Sequence, residues 1–179
     1  MSPDEARRIL DASEQLCSTA TLGAALDRLA REISGELAAK HPLVLAVMGG
    51  AVVFAGQLLP KLAFPLEFDF LHATRYNDTT RGGQMQWRAS PDHKIPGRCL
   101  LVVDDVLDEG ITLAAIKSRL LELGAAACYT AVMVDKDLGR AKPIKADFVG
   151  VTLPNRYLFG YGMDVEGAWR NLPAIHALK

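Results

Sequence analysis

Four carboxylates crowd into a short stretch of this sequence, directly after an apolar run. They are Asp104, Asp105, Asp108 and Glu109, within the segment LLVVDDVLDEGIT at residues 100–112. Like charges held this close repel one another and resist burial, so a stretch that only had to fold would rarely keep them. Their presence therefore predicts a ligand that carries complementary groups.

The residues that follow these acids favour phosphate as part of that ligand. Gly110 permits a positive φ or close backbone approach, and Thr112 stands where a helix is predicted to begin. Exposed amides at a helix N-terminus bind phosphate, yet the carboxylates would repel a bare phosphate. A ribose 5-phosphate resolves this conflict, because its hydroxyls can donate to Asp104 and Asp105 while Mg²⁺ offsets charge. The phosphate is then expected on the amides of residues 109–112, with the Thr112 hydroxyl as a further donor.

Strands and helices alternate along the chain around this segment. Buried strands are predicted in PLVLAVMGG, RCLLVVDDV and CYTAVMV, and helices in AVVFAGQLLPKL and TLAAIKSRLLELG. This alternation is typical of a parallel sheet covered on both faces, in which ligands bind beyond the carboxyl ends of the strands. Because Gly49-Gly50, the acidic segment and Asp135-Lys136 each follow a strand, the three are expected to meet at one crevice.

The N-terminal part of the chain is predicted to be helical. Residues 3–40 read as two amphipathic helices, the second with apolar residues at helical spacing: Leu22, Leu26, Leu29, Ile33 and Leu37. We infer only that residues 1–40 pack against or cover the core.

Three further segments are predicted to contain strands. LEFDFLHATRY alternates, which places Leu66, Phe68 and Phe70 toward the core and Glu67 and Asp69 toward solvent. ADFVGVTL and YLFGYGM predict two more short strands. Residues 77–97 are rich in Gly, Pro, Asp and Thr, a composition that predicts a long exposed loop, part of which forms a hairpin around Gly82-Gly83. A loop of this length in a compact domain is usually functional or mobile.

Composition narrows the class of protein. The chain has 179 residues, half of them hydrophobic, and a net charge of −1, which offers no basic field for nucleic acid or anionic membrane. Its three cysteines, Cys17, Cys99 and Cys128, are far apart and predict buried, reduced thiols. The N-terminus lacks the pattern of a signal peptide, and no apolar run approaches the ~18 residues of a membrane span. We therefore expect a single cytoplasmic domain over residues 1–179, without nucleic-acid or membrane partners.

The acidic segment resembles a known signature. VVDDVLDEGIT is similar to the phosphoribosyl-pyrophosphate (PRPP) motif of type I phosphoribosyltransferases: an apolar strand, two acids, two apolar residues, Asp, a variable residue, Gly and Thr. A receiver-type phosphoacceptor domain also has paired acids at a strand end but lacks the trailing Asp-x-Gly-x-Thr. Residues 43–175 resemble, more narrowly, a short bacterial hypoxanthine-guanine phosphoribosyltransferase. The resemblance implies an α/β fold, with a parallel-sheet core flanked by helices and a small hood formed by terminal segments.

The resemblance also implies roles along the signature and in two loops. The residues implied in ribose-phosphate binding are Asp104, Asp105, Asp108, Glu109, Gly110, Ile111 and Thr112. VMGGAVVFAGQL matches the loop that receives pyrophosphate on Met48, Gly49 and Gly50, although Met48 stands where many relatives have a basic residue. A cis peptide occurs at this turn in relatives, and the sequence leaves open whether Val47–Met48 has one. Arg75-Tyr76 replaces the family's Ser-Tyr pair as the lid, at the start of a mobile active-site loop over residues 77–97.

The purine-binding residues are implied by two later segments. Lys136 would donate to the purine O6, Tyr157 would stack on the base, and the Leu158 backbone would read its edge. Asp164 would lie beside the purine and hold a second Mg²⁺, and Arg170 would contact pyrophosphate, both within a hood segment over residues 145–179. The implied metal ligands are Asp104, Asp105 and Asp164. Taken singly, Lys136 could be a solvated surface lysine, Tyr157 a core residue, and Asp164 with Arg170 a surface pair.

The implied reaction is purine salvage. The phosphoribosyl group of PRPP passes to N9 of hypoxanthine or guanine, giving IMP or GMP and pyrophosphate, with Mg²⁺ as cofactor and Asp108 as proton acceptor. Alternatives remain: a xanthine-preferring enzyme, a nucleic-acid-binding regulator on the same fold, which the net charge disfavours, and a scaffold without turnover. Relatives are dimers or tetramers, so a homodimer or homotetramer is implied.

Overall fold

The structure is a computed structural model that describes residues 1–75, 85–89 and 94–179. For Thr74, Arg75 and residues 85–89 only the backbone is described. Tyr76, the predicted turn at Gly82-Gly83 and much of the predicted active-site loop lie outside the described residues.

Helices and strands alternate through the middle of the chain, as predicted. In chain order, the helices are α1 (Pro3–Ala12), α2 (Thr19–Leu37), α3 (Val52–Leu58) and α4 (Ile111–Glu122). The strands are β1 (Glu14–Cys17), β2 (Leu43–Val47), β3 (Glu67–Arg75), β4 (Met85–Ala89), β5 (Cys99–Leu107), β6 (Ala127–Asp137), β7 (Phe148–Pro154), β8 (Leu158–Phe159) and β9 (Ile175–Ala177).

The larger sheet has the strand order β4-β3-β2-β5-β6-β7. The strands from β3 to β7 in this order run parallel, and β4 pairs antiparallel with β3. All of β2 is buried, which explains its uninterrupted apolar run, because a central strand must be apolar on both faces. The predicted parallel-sheet core is confirmed.

Helices cover this sheet on both faces. One face packs against α2 and α3, and the apolar residues predicted for the second helix, from Leu22 to Leu37, are all buried there. The opposite face packs against α4 through Leu113, Ile116 and Leu120. Side chains of β2 alternate between the two cores, with Val44 on the first face and Leu45 on the second.

A smaller antiparallel sheet forms the hood, with the order β1-β9-β8. β1 was not predicted, because it has four residues and depends on pairing Glu14 with Ala177 at the far end of the chain. The predicted hood segment over residues 145–179 begins too early, since β7 belongs to the larger sheet. The hood is therefore built from both ends of the described chain.

The predicted inward orientation of Phe68 and Phe70 is wrong. Both side chains are 46% exposed, whereas Leu71 is buried. Phe68 and Phe70 pair in register with Val44 and Ala46, on the α2–α3 side of the sheet, but those helices contact β2, β5 and β7. β3 thus extends beyond the helical cover, which a strand pattern alone does not reveal.

The structure also describes the three cysteines, which were predicted to be buried, reduced thiols, and the helices, none of which was predicted to span a membrane. Cys17, Cys99 and Cys128 are free; the first and last are buried, and Cys99 is partly exposed. Burial raises the pKa of the Cys128 thiol to about 11, so this group remains protonated at neutral pH. No helix in the described part of the chain is both long and apolar enough to cross a bilayer.

Candidate active site

The carboxyl ends of β5 and β6 lie side by side and carry the acidic segment and Lys136. Leu107 pairs with Asp135 at the last rung between the two strands. Asp104 and Asp105 lie within β5, as the predicted strand RCLLVVDDV has them. Lys136 lies within β6, which runs further than the predicted strand CYTAVMV. Asp108 is the first residue beyond β5, so its side chain emerges where the sheet ends.

The turn from β5 into α4 forms one cleft of about 240 Å³. Its lining residues are Asp104, Val106, Leu107, Asp108, Glu109, Gly110, Ile111, Thr112 and Leu113. Gly110 adopts a φ of +79°, in the left-handed region that favours glycine, and directs the chain into the N-terminus of α4. The amides that follow are unpaired in the first turn of a helix, so this cleft has the features of a phosphate-binding site.

A second cleft of about 240 Å³ adjoins the first. It is lined by Asp105, Val106, Asp108, Lys136, Tyr157, Leu158, Met163, Asp164 and Arg170. The two clefts share Val106 and Asp108, so Asp108 stands at their junction. The structure thus brings together, in one crevice, residues that sequence analysis had assigned to sugar phosphate, purine and pyrophosphate.

Asp104 and Asp105 are neighbouring acids that contact each other. Burial, and then the charge of Asp105, holds the pKa of Asp104 well above its usual range. Burial also raises the pKa of Asp105, against the opposing effects of hydrogen bonding to Asp104, the Val106 amide and the charge of Arg170. The Asp105 N–H donates to Asp104 Oδ1 at 3.0 Å, and the Val106 N–H to Asp105 Oδ1 at 2.8 Å. Ligand hydroxyls or a cation at this pair would offset the cost of holding its charge.

Lys136 is not a solvated surface lysine. Its side chain is only 11% exposed, and its Nζ donates to Asp108 Oδ2 at 2.9 Å. Tyr157, in contrast, is 52% exposed, so the alternative that it is a core residue is wrong. Its ring borders the second cleft, and its hydroxyl donates to the Asp164 carbonyl oxygen at 3.3 Å. A cation and an exposed aromatic ring on one cleft are suited to a planar, polar heterocycle.

Asp164 and Arg170 form an ion pair, which was one alternative predicted from the sequence. This ion pair borders the second cleft. Arg170 Nη2 lies 2.5 Å from Asp164 Oδ1, and Arg170 Nη1 donates to the Gly162 carbonyl oxygen at 2.7 Å. The Gly167 N–H donates to Asp164 Oδ2 at 2.7 Å. Both side chains are thereby held in orientation, and the guanidinium remains close enough to Asp105 to act on its charge.

Gly50, the second of the paired glycines after β2, lies against Asp105. A Cβ atom on Gly50 would fall 1.9 Å from Asp105 Oδ2, and one on Gly162 would fall 2.0 Å from the Gly50 carbonyl oxygen. The turn is therefore held between β5 and the hood at a distance that only glycine allows. The cis peptide of this turn is Met48–Gly49, not the Val47–Met48 bond considered from the sequence. Met48 is partly buried against the core, so this turn presents backbone rather than a basic side chain.

The predicted Mg²⁺ ligands suit a metal that arrives with a phosphorylated substrate. In the described residues, Asp104, Asp105 and Asp164 do not form a preassembled cluster of three or more ligating side chains. Magnesium keeps several waters and usually takes one or two carboxylates together with substrate phosphate oxygens. Asp105 and Asp164 both line the second cleft, which provides this limited set of hard oxygen donors. The residues therefore fit the cofactor.

Two ion pairs near the carboxyl ends of β5 and β6 were not predicted. Glu109 was expected to donate its amide to phosphate, and its carboxylate pairs with Arg140. Lys142 Nζ donates to Asp135 Oδ1 at 2.6 Å and to the Leu107 carbonyl oxygen at 2.7 Å. A basic residue shortly after a strand is a weak signal, because the sequence does not indicate which partner it reaches.

At the predicted lid, Arg75 ends β3 with its side chain undescribed, and Tyr76 lies outside the described residues.

Comparison with known proteins yields relatives along most of the chain. The hypoxanthine-guanine phosphoribosyltransferase of Bacillus subtilis (strain 168) is 32% identical over 170 residues, which cover 94% of each chain. The Lactococcus lactis protein of the same name is 36% identical over 148 residues, covering 82% of this chain and 80% of that one. The bifunctional protein TilS/HprT of Listeria innocua is 33% identical over 170 residues, but this chain spans only 26% of its length.

A solved structure and a family model agree with these relatives. The structure of Trypanosoma cruzi hypoxanthine phosphoribosyltransferase in complex with the product IMP has a TM-score of 0.85 to this chain, with 28% identity. It covers 94% of this chain and 95% of that one. Residues 13–166 match the family model described as phosphoribosyl transferase domain. The match spans the larger sheet, the acidic segment and both clefts up to Asp164, and the chain therefore belongs to the phosphoribosyltransferase family.

Proposed function

We propose that this protein transfers the phosphoribosyl group of PRPP to hypoxanthine or guanine, forming IMP or GMP and pyrophosphate in purine salvage. The observation that carries the proposal is the pair of adjoining clefts that share Asp108. One cleft has the backbone of a phosphate site, and the other has a nearly buried lysine beside an exposed tyrosine. A nucleoside monophosphate contains both a phosphate for the first cleft and a planar base for the second. Relatives of this chain are named hypoxanthine-guanine phosphoribosyltransferase.

The sugar phosphate binds at the turn between β5 and α4. Its phosphate accepts from the amides of residues 109–112 and from the Thr112 hydroxyl, at the positive end of the α4 dipole. The ribose hydroxyls donate to Asp104 and Asp105. This contact replaces the repulsion within the acidic pair by hydrogen bonds, which supports the choice of a hydroxylated ligand over a bare phosphate.

The purine binds in the second cleft. The Lys136 ammonium donates to the 6-oxo group, which a 6-amino purine cannot match because its exocyclic group is itself a donor. Tyr157 stacks on the base, and the backbone at Leu158 reads its edge. A site built to donate to an oxygen rejects an analogue that offers a donor instead, so adenine is excluded.

The transition state carries positive charge on the ribose as the C1–O bond to pyrophosphate breaks. Asp104 and Asp105 lie on the sugar side and stabilise that charge. Asp108 accepts the proton that the purine loses, from the junction of the two clefts. The departing pyrophosphate contacts the backbone of Met48, Gly49 and Gly50 and the guanidinium of Arg170. When bound, Mg²⁺ offsets the charge of the pyrophosphate, and Asp104, Asp105 and Asp164 would hold it.

A spectrophotometric assay with PRPP, Mg²⁺ and four purines tests this function. Hypoxanthine and guanine should turn over, and adenine should not. Faster turnover with xanthine than with either would assign the xanthine-preferring alternative. No turnover with any of the four would overturn the proposal. A salt-dependent gel shift with nucleic acid would then favour the regulator.

We also propose that the protein is a cytoplasmic homo-oligomer that acts on small molecules and has no nucleic-acid or membrane partner. The exposed rings of Phe68 and Phe70 support self-association, because they add apolar area to one face of β3. Light scattering coupled to size-exclusion chromatography should give the mass of a dimer or tetramer. A monomeric mass at the concentration of the assay would contradict this part of the proposal.

A further inference from the structure

Lys142 is a nearly buried cation that lies outside both clefts. Its side chain is 9% exposed, and its ammonium has two short hydrogen bonds, to Asp135 Oδ1 at 2.6 Å and to the Leu107 carbonyl oxygen at 2.7 Å. Desolvating an ammonium is costly, so two such partners are needed to hold it there. The mechanism proposed above assigns it no task.

Both partners directly precede residues of the proposed mechanism. Leu107 is followed by Asp108, and Asp135 is followed by Lys136. Leu107 and Asp135 are also register partners at the last rung between β5 and β6. The Lys142 ammonium therefore bridges the two strands at the rung from which Asp108 and Lys136 extend.

The same residue supports the phosphate turn. A Cβ atom on Gly110 would lie 3.4 Å from Lys142 Cβ, and 3.3 Å from the side chains of Pro143 and Ile144. The segment that carries Lys142 is thus packed against the turn that directs the amides of residues 109–112. Lys142 therefore bonds the carbonyl of the residue before Asp108 and the carboxylate of the residue before Lys136, and its Cβ lies beside Gly110.

We propose that Lys142 is a positioning residue that holds Asp108 and Lys136 in their relative orientation from outside both clefts. The inference rests on the proposed function, because it assigns Lys142 a task in that reaction. Misplacement of reacting groups by about 1 Å can cost up to a hundredfold in rate. Removing the ammonium should therefore lower kcat by roughly ten- to a hundredfold, without removing any group that touches substrate.

Lys142→Met tests this role, because methionine keeps an unbranched apolar side chain and lacks the ammonium. Lys145→Met, an exposed lysine of the same segment, is the matched control. Lys142→Arg keeps the charge and should recover part of the rate. Asp135→Asn removes the other partner and should lower kcat similarly, with little additional loss in the double variant. It also serves as the second probe if Lys142→Met does not fold.

A thermodynamic cycle separates positioning from general support of the fold. In an Asp108→Asn background, Lys142→Met should cost less than threefold in kcat, because the proton acceptor that it positions no longer acts. Equal losses in both backgrounds, or a kcat for Lys142→Met within threefold of Lys145→Met, would overturn the inference. Hydrogen exchange at the amides of residues 108–112, faster in Lys142→Met than in Lys145→Met, provides a readout that does not need turnover. An inactive wild type would refute the proposed function, whereas unchanged exchange would refute the positioning role.

Discussion

The Nζ of Lys136 lies 2.9 Å from Oδ2 of Asp108, across the carboxyl ends of two adjacent strands. The group proposed to bind the purine oxygen and the group proposed to accept the purine proton are thus already paired before a purine enters. The pair keeps both side chains directed into one cleft. It also couples them, so that substitution of either residue leaves the other without its partner, and the effects of the two substitutions should not add.

Asp108→Asn should lower kcat by roughly 10²- to 10⁴-fold, the range of general acid–base catalysis. The amide preserves the size of the side chain but cannot accept the proton. The fold should be unaffected because the Asp108 side chain is 49% exposed, which a thermal unfolding midpoint close to that of wild type would verify. Turnover within threefold of wild type, at a pH where the purine is neutral, would remove Asp108 from the mechanism.

Lys136→Ala should raise the KM for hypoxanthine and guanine and weaken the discrimination against adenine. The loss of one charge-assisted hydrogen bond to the 6-oxo group should cost about 1.5–3 kcal/mol in kcat/KM. Lys145→Ala, at an exposed position between β6 and β7, controls for the loss of a positive charge. Unchanged purine constants in Lys136→Ala would assign Lys136 solely to its pair with Asp108.

Asp104→Asn should stabilise the free protein at neutral pH while weakening PRPP binding. Because the folded-state pKa of Asp104 is raised above the unfolded value, the folded protein binds the extra proton, and stability is lost as pH rises through the folded pKa. Asparagine resembles the protonated acid and escapes this loss. Each kcal/mol of added unfolding free energy should raise the thermal unfolding midpoint of Asp104→Asn by about 2–4 °C at pH 7. The difference between its midpoint and that of wild type should shrink toward pH ~4.

The control for this titration is Asp11→Asn, at an exposed position of α1. Because its side chain is solvated, this variant should have an unfolding midpoint close to that of wild type at pH 7. A wild-type midpoint that rises from pH 5 to pH 8 by as much as that of Asp104→Asn would contradict the assigned sign.

Gly50→Ala should raise the KM for PRPP at least tenfold, because a Cβ atom there would fall 1.9 Å from Asp105 Oδ2. Either Asp105 or the turn must move, and both are proposed to contact the donor. Gly56→Ala within α3 is the matched control, since its Cβ would meet nothing within 4 Å and alanine favours a helix. Equal donor constants for the two variants would show that the close approach at Gly50 is not needed for binding.

Asp164→Ala should raise the Mg²⁺ concentration needed for half-maximal rate, with a smaller effect on purine constants. Calorimetry should show little Mg²⁺ binding to the free protein and clear binding once PRPP is present, because the metal relies on phosphate oxygens for much of its coordination. The substitution also removes the ion-pair partner of Arg170, so Arg170→Lys is needed as a second variant. Arg170→Lys should weaken pyrophosphate binding and leave the dependence of the rate on Mg²⁺ concentration as in wild type. If Asp164→Ala keeps that dependence too, Asp164 is only the structural partner of Arg170.

The sequence by itself determined the features whose causes are local. The acidic segment, the glycine and the helix start lie in one continuous stretch of 100–112, so their order alone predicts a strand, a ligand-binding turn and a helix N-terminus. The apolar spacing from Leu22 to Leu37 predicts a buried face in the same way, because a helix converts spacing along the chain directly into position in space. The order of strands and helices was sufficient to predict the parallel sheet.

Only the tertiary structure decided which distant residues meet. The pairing of β1 with β9, the exposure of Phe68 and Phe70, and the bonds of Lys136 and Lys142 depend on which elements pack together and where the helices stop covering the sheet. A four-residue strand or a single lysine carries no local signal of its partner, because the free energy of the contact arises from burial and charge supplied by segments far away in the chain.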